Sequence, residues 1–521
     1  MMMGTWQFLR NGSDIRGRAD ASETDPATLT PEVVHALGRA FVLWLAERLQ
    51  RPPEDLVLAV GRDSRRSGLA LSRAMLAGVL AENARALDFG LASTPAMFVS
   101  TRLADPRCDG AVILTASHLP PDRNGCKFFT AAGGLDAEDI SALLDLASGL
   151  MQESNPWAVA MGAARERLTV SDFMSVYAAD LVAEIRRRAD FASDPMRPLA
   201  GLHVIVDAAN GAGGFFVDRV LQPLGADTVG SRCLKPDGDF PCHIPNPEHP
   251  EAMRLLREAV LDMEADFGIS FDPDVDRAAV VDHTGQVIHR NRLLALTASL
   301  VLREHPGSTI VTDSVTSEGL TEFIEKTLGG KHHRFRRGYR NVIREAMRLN
   351  ADGQECWLAM ETSGHAALRQ NGFLDDGAYL VSLLLVELAR ARAQGGSITD
   401  GIASLREPVE EREYRLRLPE NGFADRAQAI LNDLGEILAR EPDWQLVPEN
   451  HEGIRVRCNG PREKGWWLLR LSLHDPVLPL NIESDVNGGV SVIAERLVRH
   501  LQRWPDLDCS ELEQTPSPTE N

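Results

Sequence analysis

The chain of 521 residues is short of several things, and each shortage narrows its reading. Its seven cysteines are odd in number and include no C-x-x-C pair. That excludes a disulfide framework and points to a reducing compartment. Positive charge is scarce: 55 Lys and Arg stand against 75 Asp and Glu, for a net charge of -20. Such a field attracts neither nucleic acid nor an anionic membrane surface, so both are set aside as partners. An anionic substrate would have to be held by local arginines and lysines against that field. No apolar run approaches the ~20 residues needed to cross a bilayer, and the longest candidate, residues 379–389, reads as a buried helix. The start, Met1-Met2-Met3-Gly4, has no basic region followed by an apolar core, so no secretory signal is expected and the cytoplasm is the expected location.

What is present describes a soluble globular protein, with 44% apolar and 25% charged residues. The length suggests roughly three to four domains. Strand-loop-helix units recur, which favours an α/β architecture. Residues 56–60 lead into Gly61-Arg62-Asp63-Ser64-Arg65 and a helix reaching Leu80; residues 203–206 lead into a glycine-rich turn; residues 309–311 lead into Thr312-Asp313-Ser314. Thr30 followed by Pro31 and Glu32 is a helix start. Seams are expected near Asn155-Pro156, His289-Arg290 and Arg406-Glu407-Pro408, and the acidic Ser/Thr/Pro-rich tail from Pro505 is expected to be disordered. Gly211-Ala212-Gly213-Gly214 is not a dinucleotide fingerprint, because Phe216 stands where the third glycine belongs; it reads as a tight strand-to-helix turn.

Two clusters carry chemistry. A short apolar strand at 111–114 delivers Thr115-Ala116-Ser117-His118 to a loop, and Pro120, Pro121 and Gly125 turn the chain so that Ser117, His118 and Lys127 can converge. A serine with a basic neighbour and a nearby lysine suits a residue that accepts and donates a phosphoryl group. Far along the chain, Asp272, Asp274 and Asp276 alternate within five residues, with Arg277 next. Carboxylates so close repel one another unless a cation neutralises them, and oxygen ligands favour Mg²⁺, Mn²⁺ or Ca²⁺. An EF-hand does not fit, since Arg277 occupies the turn-glycine position and His283 the closing-glutamate position.

Together these motifs resemble the α-D-phosphohexomutase family, whose loops read T-A/G-S-H-N-P-P with a later N-G-x-K, and D-G-D-x-D-R. The family's G-E-x-S-G-H appears as Met360-Glu361-Thr362-Ser363-Gly364-His365, and its N-terminal segment as Gly12-Ser13-Asp14-Ile15-Arg16-Gly17. Gly338-Tyr339-Arg340 resembles V-G-x-K, with Arg340 at the lysine, and Arg470-Leu471-Ser472-Leu473-His474-Asp475-Pro476 resembles the phosphate loop R-x-S-G/N-T-E-P. Three departures stand out: Leu119 for asparagine, Met360 for glycine, and Leu473-His474 for a small Gly/Asn-Thr pair that would form a backbone nest.

The resemblance implies four domains around a central cleft, three related mixed α/β units and a C-terminal α+β domain. Domain I, with the phosphoserine loop, would span 1–155; domain II, with the metal loop, 156–289; domain III, with the sugar loop, 290–406; domain IV, with the phosphate loop, 407–504; and the tail 505–521. It implies an isomerase that interconverts hexose 1-phosphate and hexose 6-phosphate, of mannose, glucose or both, through a phosphoserine and a hexose 1,6-bisphosphate. Ser117 would be the nucleophile and, with Asp272, Asp274 and Asp276, would hold Mg²⁺. Lys127, His118 and Arg16 are the acid-base and charge-stabilising candidates, with Lys127 favoured as base. Substrate contacts would fall to Arg277, Arg340, Glu361, Ser363, His365, Arg470 and Ser472. Two other readings remain open: a phosphoserine-dependent sugar phosphatase or phosphotransferase, and a non-catalytic sugar-phosphate sensor. Choice of sugar and oligomeric state are not legible.

Overall fold

The computed structural model describes residues 6–22, 24–105, 107–151, 165–439, 441–472 and 476–515, so the expected seam at Asn155-Pro156 lies outside the described residues. The chain forms two compact units: Met1–His289 with Ser363–Asp400, and Arg290–Thr362 with Gly401–Asn521.

The first unit contains an eight-stranded mixed sheet. Its centre is Gly110–Leu114, whose five residues are all buried. That strand lies parallel to Val57–Arg62 on one side and antiparallel to Arg123–Thr130 on the other. Buried on both faces, it reads as an unbroken apolar run rather than an alternating one. The helix Pro31–Leu49, capped by Thr30 with proline in its first turn, covers the sheet and packs on Gly68–Ala81. The two helices touch at Gly78, where a Cβ would stand 2.2 Å from the His35 carbonyl oxygen. Phe41 from this helix meets Phe128 from the sheet edge-on, with ring centroids 4.9 Å apart.

A second, four-stranded sheet in the same unit runs Val287–Ile288, Ala278–Asp282, Phe267–Phe271, Val204–Asp207. The helices Pro250–Asp262 and Gly377–Ala393 pack on it, and the latter is the long apolar run expected to be a buried helix. Hydrogen bonds from Tyr177 to Asp376 at 2.6 Å and from Tyr379 to Glu184 at 3.0 Å tie Gly377–Ala393 to the helix Phe173–Arg188.

The second unit holds three parallel strands, Lys331–Arg334, Thr309–Thr312 and Cys356–Met360, with the helices Arg290–Glu304 and Tyr339–Ala351. It also holds a five-stranded antiparallel sheet from Glu410–Arg417 to Trp444–Leu446, covered by Phe423–Leu438 and Gly489–Leu501. The architecture is therefore three mixed α/β assemblies and a C-terminal α+β one. No helix of the described residues is long and apolar enough to cross a membrane.

One expectation is corrected. The tail is folded as far as Thr515, with a short helix at Ser510–Glu513 and with Leu507 and Leu512 buried in the C-terminal core. Average composition there is polar, but these apolar side chains are spaced to reach the core, and burial of ~1.5–3 kcal/mol for each large one outweighs the polar average. Residues 516–521 lie outside the described residues. Cys233 and Cys242 are joined as a disulfide, a single bridge beside five free cysteines rather than a framework. Cysteine parity and C-x-x-C spacing report frameworks and metal knuckles, and neither detects a single bridge across one loop.

One close approach links the scaffold to the acidic loop. The turn after Val204–Asp207 places Gly211 against Pro273, where a Cβ would come within 2.4 Å of the Pro273 Cα. Gly211→Ala should therefore cost ~1–3 kcal/mol of stability by overpacking, read as a lower urea midpoint. Gly149→Ala, with open space around its Cβ near a helix end, should be neutral or stabilising by up to ~1 kcal/mol.

Candidate active site

The fully buried strand Gly110–Leu114 ends at Thr115, and the chain turns there. The Thr115 hydroxyl donates to Asp63 at 2.7 Å and accepts the Ser117 N–H at 2.9 Å. The turn drives Ser117 to a φ of 51°. A non-glycine residue in this region costs ~1–3 kcal/mol and persists only where its surroundings over-determine it. Arg65 supplies that determination. Its buried guanidinium donates to the carbonyls of Ser117 and Leu119 at 2.6 Å, Pro120 at 2.7 Å and Arg123 at 2.8 Å. Asp63 lies 3.3 Å from the Arg65 Nε; burial pushes its carboxyl above the usual range while Arg65 draws it back. Neither Asp63 nor Arg65 is singled out by the sequence reading, although both stand in the loop quoted after residues 56–60. Arg65 also holds the Leu119 carbonyl, so the loop is fixed through backbone where the family has an asparagine side chain.

Lys127 enters from Arg123–Thr130, opposite Ile113. The motif glycine two residues earlier is needed sterically: a Cβ on Gly125 would lie 2.3 Å from the Ile15 oxygen and 2.7 Å from that of Thr115. The Lys127 ammonium donates to Asp274 at 2.9 Å and also to Asp276. Two carboxylates flank it, which is a charge-pairing environment rather than the cationic or dry one that yields a neutral amine.

The acids follow the buried strand Phe267–Phe271 and are themselves almost fully buried, with Val275 between them at a φ of 65°. They wrap one point: an oxygen from each lies within 4.8 Å of the others. Asp272 accepts from the Ser117 hydroxyl at 2.7 Å, and Asp274 from Thr94 at 2.6 Å. Burial, then the charges of Asp276 and Asp274, push Asp272 well above the usual carboxylate range. Burial acts the same way on Asp274, but Lys127 and Thr94 outweigh it and hold that carboxyl far below the range. The Oδ1 atoms of Asp274 and Asp276 have no hydrogen-bond partner among the described residues. Buried carboxylate oxygens left over in this way fit a hard divalent cation. Thr94 is a further neighbour that the sequence reading does not reach.

Around Ser117 Oγ stand the His118 Nδ1 and the Arg277 Nη2, each at 3.4 Å; Arg277 Nε is 3.3 Å from Asp272. Arg16, on the adjoining strand, pairs with Asp14 at 2.9 Å. His118 is exposed, yet partial desolvation and then the charges of Arg277 and Arg16 bring its pKa down to about 3. His365 goes the other way. Burial opposes its charge, yet Asp375, 2.5 Å from its Nδ1, and Asp276, 4.0 Å away, raise it to about 9. Near neutral pH the site thus holds one neutral and one charged imidazole, a separation of roles that two equivalent histidines would lack. Asp375, too, is absent from the sequence reading. Ser363 keeps a buried hydroxyl without a hydrogen-bond partner among the described residues.

The remaining candidates belong to the second unit. Glu361 accepts the Gly338 N–H at 2.6 Å and so braces the start of Tyr339–Ala351, whose first turn carries Arg340. Arg470 follows Gly465–Leu469; its N–H donates to the Pro479 carbonyl at 3.1 Å, and that of Ser472 to Val477 at 3.2 Å. Leu473 and His474 lie outside the described residues. Burial, and then the charge of Arg337, work against the positive charge of Arg470. Arg337 itself lies 4.0 Å from Asp313. Two guanidinium groups held close enough to repel are suited to sharing an anion. Arg337 belongs to the short basic loop Arg336-Arg337-Gly338-Tyr339-Arg340, whose residues alone leave solvated surface and anion contact both open, while the motif register points to Arg340.

Comparison with known proteins agrees with this geometry. Residues 8–147, 179–285 and 289–407 match the models for phosphoglucomutase/phosphomannomutase α/β/α domains I, II and III. The chain is 30% identical to a Pseudomonas aeruginosa phosphomannomutase/phosphoglucomutase, over 88% of this chain and 89% of that protein. It is 28% identical to a Neisseria gonorrhoeae phosphoglucomutase, over 92% and 95% respectively. Among solved structures, a phosphoglucomutase/phosphomannomutase family protein from Burkholderia thailandensis superposes with a TM-score of 0.75 at 26% identity, covering 98% of this chain and 99% of that one. The chain belongs to the phosphoglucomutase/phosphomannomutase family.

Proposed function

We propose that the protein interconverts hexose 1-phosphate and hexose 6-phosphate, of glucose, mannose or both, through a phosphorylated Ser117 and a hexose 1,6-bisphosphate. The observation that carries this reading is the strained Ser117, its hydroxyl 2.7 Å from one of three buried carboxylates that share a focus. In the first half-reaction the bond between phosphorus and Ser117 Oγ breaks as a bond forms from phosphorus to the free sugar hydroxyl. The hydroxyl's proton passes to a base; Lys127 is the assigned group, and it can serve only as a neutral amine, once Asp274 and Asp276, which now pair its charge, are taken up by the cation. The bisphosphate then turns end for end and returns its other phosphate to Ser117. Asp272, Asp274 and Asp276, with the oxygen on Ser117, would hold Mg²⁺, which supplies charge neutralisation at the transferring group. Arg277 stands beside Ser117 Oγ to stabilise equatorial negative charge, and neutral His118 offers a hydrogen bond without adding to the cationic field. Arg16 contributes positive potential. Glu361, Ser363 and His365 are assigned to the sugar, and Arg470 and Ser472, with Arg340, to the distal phosphate.

A coupled assay offering glucose 1-phosphate and mannose 1-phosphate, with a trace of bisphosphate, tests the reaction. Peptide mapping should find phosphate on Ser117, and Ser117→Ala should remove both phosphate and turnover. Phosphate mapped elsewhere, or near-normal turnover of the alanine variant, overturns the mechanism. His118→Ala should lower kcat less, by up to about tenfold, the loss of one hydrogen bond of ~0.5–1.5 kcal/mol.

Chelation should abolish turnover and added Mg²⁺ restore it. Lys127→Met leaves Asp274 and Asp276 without their buried counter-charge, and breaking such a pair typically costs ~3–5 kcal/mol. Its thermal midpoint should therefore fall steeply in chelator and recover in part with Mg²⁺, a readout independent of activity.

A charge-assisted hydrogen bond contributes ~1.5–3 kcal/mol, or roughly ten- to more than a hundredfold in affinity. Arg470→Ala should weaken binding of both the 1-phosphate and the 6-phosphate by about that factor, and Arg470→Lys should recover only part. Unchanged binding in isothermal titration would move the anchor to Arg337 or Arg340.

A further inference from the structure

Five cysteines, at 108, 126, 356, 458 and 509, are buried free thiols. The other two differ. Cys233 and Cys242 are bonded to each other, with Cα atoms 6.2 Å apart; Cys242 is exposed and Cys233 half-buried. The Cys233 sulfur lies within 4.8 Å of a ring nitrogen of His243 and an oxygen of Asp207. His243 Nε2 is 3.0 Å from both Asp207 oxygens, and its Nδ1 is 2.8 Å from the Ile244 carbonyl. With an acceptor at each nitrogen, the ring is positioned to carry both protons. Burial opposes that charge, and Asp207 outweighs the burial. A cation beside sulfur favours thiolate, the species that attacks and departs in thiol–disulfide exchange.

The bridged segment rests against the group that clamps the Ser117 loop. Gly238 abuts the backbone of the clamp, and a Cβ there would stand 2.3 Å from the Arg66 nitrogen and 2.8 Å from the Arg65 Cα. The Phe240 ring lies 5.2 Å from the Arg65 guanidinium, which holds four carbonyls between Ser117 and Arg123. At the foot of the bridge, Asn210 donates its N–H to the Cys233 carbonyl at 2.8 Å and accepts the Cys242 N–H on its side chain at 3.3 Å. Its neighbour Gly211 is the residue packed on Pro273.

We propose that Cys233 and Cys242 form a thiol–disulfide exchange site that reacts with low-molecular-weight thiols and disulfides, and that closing the bridge holds the 233–242 segment against Arg65 and so stiffens the Ser117 loop. In reduction, a small thiolate attacks the exposed Cys242 sulfur and the Cys233 thiolate departs beside His243. A second small thiolate then attacks the small molecule's sulfur in the mixed disulfide and releases Cys242. Two small thiols become one small disulfide, and the two electrons and two protons end on the cysteine pair. Oxidation is the reverse. Reversible bridges of this kind, unlike frameworks, are compatible with a reducing compartment.

The test uses the full-length protein equilibrated in reduced or oxidised glutathione, alkylated under native conditions and mapped by mass spectrometry. Two thiols, Cys233 and Cys242, should become alkylated in the reduced buffer and neither in the oxidised one, while the five buried cysteines stay unmodified in both. Hydrogen exchange at residues 63–66 and 115–119 should be faster in the reduced protein, and Cys242→Ser should match the reduced protein in both buffers. The proposal is overturned if the thiol count does not change, or if exchange in those segments is the same in both buffers. It is also overturned if the reduced protein binds one equivalent of added Zn²⁺ that blocks alkylation, which would make Cys233, Cys242, His243 and Asp207 a metal site. A redox effect on mutase turnover rests on the proposed function. Thiol count and hydrogen exchange do not, so the two ideas fail separately.

Discussion

Burying like charges beside one another is the constraint on which the first unit turns. Asp272, Asp274 and Asp276 lie out of water with their oxygens on a common point. Their repulsion in a low-dielectric interior would empty the loop unless cations answered it. Lys127 and Arg277 do so from two sides, Lys127 on Asp274 and Asp276, Arg277 on Asp272. Two carboxylate oxygens still have no hydrogen-bond partner among the described residues. The donor set thus leaves room for a divalent cation at the common point of the three acids. Because the Ser117 hydroxyl already bonds Asp272, whatever neutralises the acids acts on Ser117 as well.

Precision at that point depends on rigidity built outside it. Ser117 and Val275 both take left-handed backbone conformations, one in each loop that meets at the focus. Such residues relax unless held. For Ser117 the hold is a single guanidinium, Arg65, spread over four carbonyls, backed by Asp63 and by Phe240 from the bridged segment. For the acidic loop it is contact through Gly211. Each hold comes from a different stretch of chain, so the site's geometry reports the integrity of the whole unit.

The second unit applies another form of the same electrostatics. Arg337 works against the positive charge of Arg470, and Glu452, Glu413 and Asp313 compensate. Glu361 is meanwhile committed to a backbone N–H at a helix start. In a chain of net charge -20, an anion can be held only where cations are concentrated locally, and this loop cluster provides that concentration.

Much of this was legible in the residues alone. The apolar run before Thr115, the alternating acids, the motif glycine before Lys127 and the Thr30 helix cap are local patterns, and local sterics and periodicity decide them. The family's motifs, in order, conveyed the α/β architecture as well. Asp63, Arg65, Thr94 and Asp375 were not legible, because their roles depend on partners ten to nearly two hundred residues away, and nothing in their immediate neighbours marks them. The same holds for the opposite charge states of His118 and His365, set by which cations and acids the fold places beside each ring. It holds for the Cys233–Cys242 bridge and for the folded stretch up to Thr515, where two leucines find a core that polar composition conceals. Sequence determined which chemistry was on offer; only tertiary structure decided which charges face each other, because Coulomb energy and hydrogen bonding depend on distances that the chain acquires on folding.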